Sequence, residues 1–350
     1  MTDSPVQTPL AVARIPNTRR YMLRRVAINT YIALVGAYGL NTTLYLVLRA
    51  IVGERWGLIG LFNSFFHLLI LPAVILLPLS LLLRRRWLVI ELIAPFLFFI
   101  SNYGGQFLPR NINVPAEAPR LNLLSFNINK DNQHTDDVIR IVRESNADVV
   151  AIQELSTWVA DGFNTQLATL YPYRALHPQA DFSGQGILSR YPLSADEYWQ
   201  INLGHQSLQM DWNGQPVAFF NVHPIHPLRG IQFDGQSRAE EIDEMLRRAS
   251  TVSDPVLIAG DFNMTNLSDD YGRVTEHYDD TYQQVGWGMG FGFPNFDYAF
   301  HIKYLPPIAR IDYIFHNDHF QAVSMRVGTD SGGSDHFPVY ATFALAGGSG

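Results

Sequence analysis

The chain contains no cysteine, so no disulfide staples any part of it, and thiol redox chemistry and thiolate metal ligation are both excluded. Positive charge is scarce where a nucleic-acid enzyme needs it. Residues 110–350 carry fifteen Lys or Arg against twenty-nine Asp or Glu, a net of −14, which offers no broad basic footprint for a polyphosphate backbone. Residues 1–109 have the opposite balance, ten basic groups against three acidic, so the whole-chain value of −7 conceals a basic segment joined to a strongly acidic one. The acidic part is long enough to bury a core without covalent staples. There is no internal repeat.

The basic segment lacks charge in long stretches. Val26–Leu48 and Gly57–Leu83 contain no Asp, Glu, Lys or Arg, and Trp87–Leu108 contains only Glu91. Each exceeds the roughly 20 apolar residues that a helix needs to cross about 30 Å of hydrocarbon. A signal peptide would supply one shorter run and a cleavage site, without two further spans. Three transmembrane helices over 26–109 are therefore expected, with Pro72, Pro78 and Pro95 as places where a kink or a re-entrant pair can form. Arg14, Arg19, Arg20, Arg24 and Arg25 precede the first run and Arg84, Arg85 and Arg86 separate the second from the third. By the positive-inside rule residues 1–25 are a cytoplasmic basic terminus, and an odd number of spans puts the residues beyond 109 outside the cell membrane.

After a linker at 110–119 containing Pro115 and Pro119, residues 120–346 read as one domain, and Gly347–Gly350 reads as an appended remnant. Strand-like runs are expected near 121–127, 148–153, 185–189, 207–212, 216–222, 255–259, 310–315, 320–327 and 337–345, and helices near 135–145, 156–170 and 236–249. The last has its acids early and Arg247 and Arg248 late, as the helix dipole favours. Many strands with few helices predict two sheets packed face to face with helices outside. Polar residues end or interrupt several of these runs: Asn127, Glu154, His223, Asp261 with Asn263, and Asp312, followed by Gly332-Gly-Ser-Asp-His-Phe-Pro338 with Asp335 and His336. Singly, Asp261 and Asn263 read as turn residues, Asp335 and Glu154 as helix caps, and His226 and Arg190 as loop or structural residues.

Taken together and in order from Leu121 to Phe343, these residues resemble the endonuclease/exonuclease/phosphatase (DNase I-like) superfamily of metal-dependent phosphoesterases. The resemblance implies an α+β fold, a four-layer α/β/β/α sandwich, preceded here by the all-α transmembrane region. It also implies Mg²⁺, with Mn²⁺ as an alternative, held by Glu154, Asn127 and Asp335. Asp261 and Asn263 would orient water and phosphoryl oxygens, His336 would be the catalytic histidine with Asp312 fixing its ring, and His223 would contact phosphate or leaving group. At Asn129 some relatives carry Asp.

A phosphoesterase tethered at a bilayer suits a phosphorylated membrane lipid, and the aromatic loop Gly286–Pro294 reads either as an interfacial probe or as a rim packed on the core. Three spans followed by an exported phosphoesterase resemble the bacterial teicoplanin-resistance-type membrane phosphatases, which implies undecaprenyl pyrophosphate as substrate. The alternatives are a sphingomyelinase- or phospholipase C-like phosphodiesterase, a lipid-anchor remodelling enzyme, or a non-catalytic receptor for phospholipid. Nucleic acid is not expected as a partner.

Overall fold

The structure, a computed structural model, describes residues 18–110, 112 and 114–346. The expectations for the amino-terminal stretch through residue 17 and for 347–350 lie outside the described residues, as do Asn111 and Asn113 of the linker.

Three helices come first: α1 (Thr18–Val52), α2 (Gly57–Leu82) and α3 (Arg86–Tyr103), the last extended by a 3-10 turn to Phe107. All three are long and apolar enough to cross a membrane. α1 is longer than its uncharged run because the flanking residues around Arg19–Arg25 and Arg49 continue the helix into water. α2 is a single helix about 39 Å long at 1.5 Å per residue, so no re-entrant pair forms at Pro72 and Pro78. Tyr31 and Tyr38 of α1 donate their hydroxyls to the carbonyls of Leu76 and Leu69, bracing α2 beside both prolines.

The second region continues with β1 (Leu121–Asn127), α4 (Thr135–Glu144), β2 (Val149–Gln153), α5 (Thr157–Gln166), β3 (Tyr173–His177), β4 (Gln185–Ser189), β5 (Leu193–Gln200), β6 (Gly204–Trp212) and β7 (Gln215–Val222). It ends with the short pair β8 (Leu228–Arg229) and β9 (Gln232–Phe233), α6 (Gly235–Ala249), β10 (Val256–Asp261), α7 (Asp269–Thr275), β11 (Asp279–Asp280), α8 (Thr281–Val285), α9 (Phe296–Phe300), β12 (Asp312–His316), β13 (Phe320–Val327) and β14 (Val339–Leu345).

Two six-stranded mixed sheets form, in the orders β13-β14-β1-β2-β4-β3 and β11-β12-β10-β7-β6-β5. β1 shows why they stack: Leu121 and Leu123 face the other sheet, while Leu124 and Phe126 face α4 and α5. On the second sheet Phe219 and Leu257 face inward, and Phe220 and Ile258 meet Ile242 and Met245 of α6. These contacts make the four layers. β3 and β5 escape a reading by apolar runs because they are edge strands whose residues are mostly half-buried or exposed.

Register delivers polar residues to one end of both sheets. β1 lies parallel to β2 with Asn127 opposite Gln153, so Glu154 emerges beside it. β7 lies parallel to β10 with Val222 opposite Gly260, and β12 runs antiparallel with Asp312 opposite Asp261. Beneath that end, Gln153 Nε2 donates to Asn221 Oδ1 at 2.7 Å, locking the two sheets together.

The sandwich rests on the helix ends. Tyr103 donates to Asn266 Oδ1 (2.7 Å), His67 Nε2 bonds the Ile308 carbonyl (2.7 Å), and Phe66, Ile70, Phe99 and Tyr103 pack with Leu267 and Met289. The Gly286–Pro294 loop is part of this seam. Gly288 N donates to the Gln106 carbonyl and the Phe291 ring lies 5.4 Å from that of His67, so the loop clamps the helices and only Trp287, 65% exposed, projects from it. The Arg84–Arg86 link lies at the far end of α2 and α3.

Gly260 has φ +153°, and a Cβ there would stand 1.8 Å from the Val222 carbonyl oxygen. Gly260→Ala is expected to cost about 2 kcal/mol or more, seen as a lowered melting temperature of the detergent-solubilised chain.

Candidate active site

Asp261 Oδ2 is the hub of the site. It accepts from Asn127 Nδ2 at 3.0 Å and lies 3.5 Å from both His223 Nε2 and His336 Nε2. Asp261 Oδ1 accepts from the Asn263 backbone N–H at 2.9 Å, which closes the turn after β10 and holds the carboxylate. Asn127 Nδ2 also donates to Glu154 Oε1 (3.0 Å), and Glu154 Oε2 accepts from Lys130 N (2.9 Å). Glu154 has φ +59°, a left-handed conformation that a residue with a long side chain adopts at a cost, here offset by those two bonds.

Asp335 is tied to the same cluster by Asn129 Nδ2, which donates to its Oδ1 at 2.8 Å. His336 Nδ1 bonds Asp312 Oδ2 at 2.9 Å, so the Nε2 edge faces the site. Burial alone would lower the His336 pKa, but Asp312 and Asp261 overcome it and hold the imidazole well above its ordinary value. Burial pushes the Asp312 carboxyl up to about 6 against the pull of His336. His223 Nδ1 bonds the Phe182 carbonyl at 3.1 Å; a carbonyl only accepts, so Nδ1 carries the hydrogen and Nε2 is aimed at Asp261 and Glu154.

All eight residues singled out in the sequence, Asn127, Glu154, His223, Asp261, Asn263, Asp312, Asp335 and His336, thus meet at one end of the sandwich. Arg190 is elsewhere, bonded to Asp148 and Asn146, and the ring of His226 is bonded to the backbone of Leu228. Ser334, whose hydroxyl donates to the Asn127 carbonyl and accepts from the His336 N–H, was not anticipated, nor was Phe293, whose ring lies 4.6 Å from that of His336. Ser334 stands inside the Gly-Gly-Ser-Asp-His motif, where its position alone could have suggested a part.

Arg238 was also missed. It is 2% exposed and donates to Asp270 Oδ2 (2.6 Å), to Ser268 Oγ (2.7 Å) and to the Asn263 carbonyl (2.8 Å), while its Nη2 lies 3.4 Å from Glu54 Oε2. Glu54 is at the turn between α1 and α2, so a membrane hairpin reaches through one guanidinium to the backbone of Asn263.

The donor set fits a hard divalent cation. The carboxylates of Glu154, Asp261 and Asp335 are hard oxygen ligands, and the Asn127 amide hydrogens sit between Glu154 and Asp261, where positive charge is wanted, while the Asn127 side-chain oxygen accepts from the Asn129 N–H. Among the described residues, the ligand atoms of Asp261, Asp312 and His336 also lie within 4.8 Å of one another. In that trio His336 Nδ1 is already committed to Asp312, which reads as an acid–imidazole pair rather than a cation cage.

A family model described as the endonuclease/exonuclease/phosphatase family matches residues 124–336. The chain belongs to the endonuclease/exonuclease/phosphatase family. Its members are metal-dependent phosphoester hydrolases, and this chain carries, before that domain, three helices long and apolar enough to cross a membrane. Among solved structures, a family protein from Bacteroides vulgatus shares 18% identity with a TM-score of 0.55, covering 65% of this chain and 100% of its own. A second, from Bacteroides thetaiotaomicron, shares 19% with a TM-score of 0.52 over 66% and 99%. D. rerio TDP2, solved with a single-strand DNA product, shares 17% with a TM-score of 0.53 over 65% and 99%. At these identities the likeness is one of fold. No curated protein matches the chain by sequence.

Arg238→Ala would leave Glu54 beneath the site without its ion-pair partner and Asp270 with Arg273 alone. The expected loss is about 3–5 kcal/mol, measured by thermal unfolding in detergent.

Proposed function

We propose that this enzyme hydrolyses a phosphorylated membrane lipid at the outer face of the cell membrane, with undecaprenyl pyrophosphate as the specific substrate. The observation that supports this most directly is the seating of the carboxylate and imidazole cluster on a domain bonded to the end of α3 and its 3-10 extension, through Tyr103 and Gln106, and to His67 within α2. Tethering keeps such a site at the interface where a lipid headgroup is concentrated. The arginines in the first turns of α1, Arg19, Arg20, Arg24 and Arg25, and those linking α2 to α3 lie at the ends away from the sandwich, while of the arginines in the helical region only Arg49 and Arg55 lie near it, which supports an extracytoplasmic domain under the positive-inside rule.

Mg²⁺, replaceable by Mn²⁺, held by Glu154, Asn127 and Asp335, would neutralise phosphoryl charge and stabilise the leaving oxygen. The remaining work falls to the chain. Asp261 and the Asn263 side chain orient a water molecule against phosphorus, and Asp261 takes its proton as the new P–O bond forms. His336, held by Asp312 through Nδ1, presents Nε2–H to a phosphoryl oxygen. His223 Nε2, on the other side of Asp261, contacts the phosphate or passes a proton to the leaving oxygen as the second P–O bond breaks. With undecaprenyl pyrophosphate the products are the monophosphate and inorganic phosphate.

Purified protein in detergent with undecaprenyl pyrophosphate and Mg²⁺ is expected to release inorganic phosphate. Chelation with EDTA should abolish release and added Mg²⁺ should restore it. His336→Ala is expected to lower turnover by about 10²–10⁴ without loss of folding. Release of a phosphorylated headgroup from a phosphodiester lipid, with none from the pyrophosphate, would replace this reading by phosphodiester cleavage.

A further inference from the structure

Past the catalytic cluster the chain makes a twelve-residue excursion, 296–307, that the site chemistry does not use. Its two ends are clasped, because the amides of Ile308 and Ala309 both donate to the Phe293 carbonyl, at 2.9 and 2.8 Å. One end is fixed to the active site: Asn295 N donates to the Asp335 carbonyl, and the Asn295 side chain donates to Ser331 and to the Ser334 carbonyl. The other end is fixed to a membrane helix, since the Ile308 carbonyl is bonded to His67 of α2. A compact loop pinned in this way bridges the catalytic centre and a span.

What the excursion exposes is apolar. Phe300 is 60% exposed, Ile302 46%, Tyr304 98% and Leu305 50%. The other large exposed apolar side chains of the sandwich, such as Trp158, Tyr173 and Ile201, stand singly, which is ordinary for a protein surface. Four within six residues is a patch, and patches of this kind mark contact surfaces. Lys303, in their midst, makes no ion pair among the described residues, in a domain that is otherwise strongly acidic. The loop meets α2 at His67, within a span whose apolar side chains are exposed on both sides of that residue, Phe62 and Phe65 before it and Leu69 and Ile75 after it. The aromatic Gly286–Pro294 loop cannot fill this role, because it is spent on clamping the helix ends.

We propose that residues 296–307 are a lipid-inserted lip of the active site. Phe300, Ile302, Tyr304 and Leu305 enter the boundary between headgroups and hydrocarbon, where aromatic and aliphatic side chains are favoured, and Lys303 meets lipid phosphate. On its inner side the loop bears Tyr298, which with Asn295 and Ser331 lines an open hollow of about 700 Å³ beside the site. A lipid drawn up along the lip reaches that hollow while its chain stays out of water. The use of the lip rests on the lipid-phosphoesterase reading; its location does not.

The absence of cysteine makes the test direct. Tyr304→Cys and, as an exposed control in the β6–β7 turn, Asn213→Cys are each labelled with an environment-sensitive fluorophore, and the full chain is placed in vesicles of phosphatidylcholine and phosphatidylglycerol. The label at 304 is expected to be quenched by lipids spin-labelled near the headgroup and protected from aqueous iodide, with the reverse at 213. Iodide quenching equal to that at 213 would overturn the insertion. Protection from iodide without quenching by the lipid label would also overturn it, pointing to a protein partner instead. Replacing Ile302, Tyr304 and Leu305 together by Ser is expected to slow hydrolysis of the long-chain lipid in vesicles by about tenfold or more, with less than about a twofold change on a short-chain soluble analogue. Equal loss on both would overturn the lip's role in delivery. Hydrolysis of neither by the unaltered chain would defeat the lipid-phosphoesterase reading, while the label alone would still decide where the loop lies.

Discussion

Like charge is the constraint on which this structure turns. Glu154, Asp261, Asp312 and Asp335 converge at one end of a sandwich, and three of the four are almost wholly buried. Carboxylates taken out of water repel one another unless positive charge or oriented dipoles are built around them. Nearly every contact at the site answers that demand. The Asn127 amide stands between two carboxylates, backbone amides of Lys130 and Asn263 cap a third and fourth oxygen, and Asp312 holds His336 toward its imidazolium form. The remaining negative charge is what gives the site its affinity for a divalent cation, and hence its chemistry.

Such a cluster can be assembled only on a rigid frame. The parallel pairings of β1 with β2 and of β7 with β10 send four chain segments out of the same end of the molecule, and the antiparallel β12 brings Asp312 opposite Asp261. The Gln153–Asn221 bond fixes one sheet against the other directly under the cluster. A slip of one residue in any of these pairings would turn a side chain of the cluster to the wrong face.

Much of this was legible because central strands are buried on both faces and so appear as apolar runs closed by a polar residue. Asn127, Glu154, His223 and Asp261 could be picked out on that ground, and Asp335 and His336 on the motif that carries them. The edge strands β3 and β5 were not: Arg174 and His177 interrupt the one and Asp196 and Glu197 the other, in strands held by one neighbour. The aromatic loop at 286–294 announced contact with something apolar but not with what; the helix ends proved to be its partner. Arg238 was opaque for a different reason. On α6 it reads as one more surface charge, and only tertiary structure brings it to Glu54, Asp270 and the Asn263 carbonyl, because a buried ion pair across the chain leaves no local periodicity.

That guanidinium also bears on what counts as a unit in this molecule. The Bacteroides vulgatus structure is matched over its whole chain by 65% of this one. Yet part of the floor under Asn263 is supplied here by the turn between two membrane helices, and Leu267 and Met289 are covered by the tops of those helices. The sandwich and its anchor are therefore not interchangeable parts. A replacement for the three helices would have to bring an acid at the tip of its first hairpin and an apolar cap for the seam, so in this chain a change in one region constrains what the other can become.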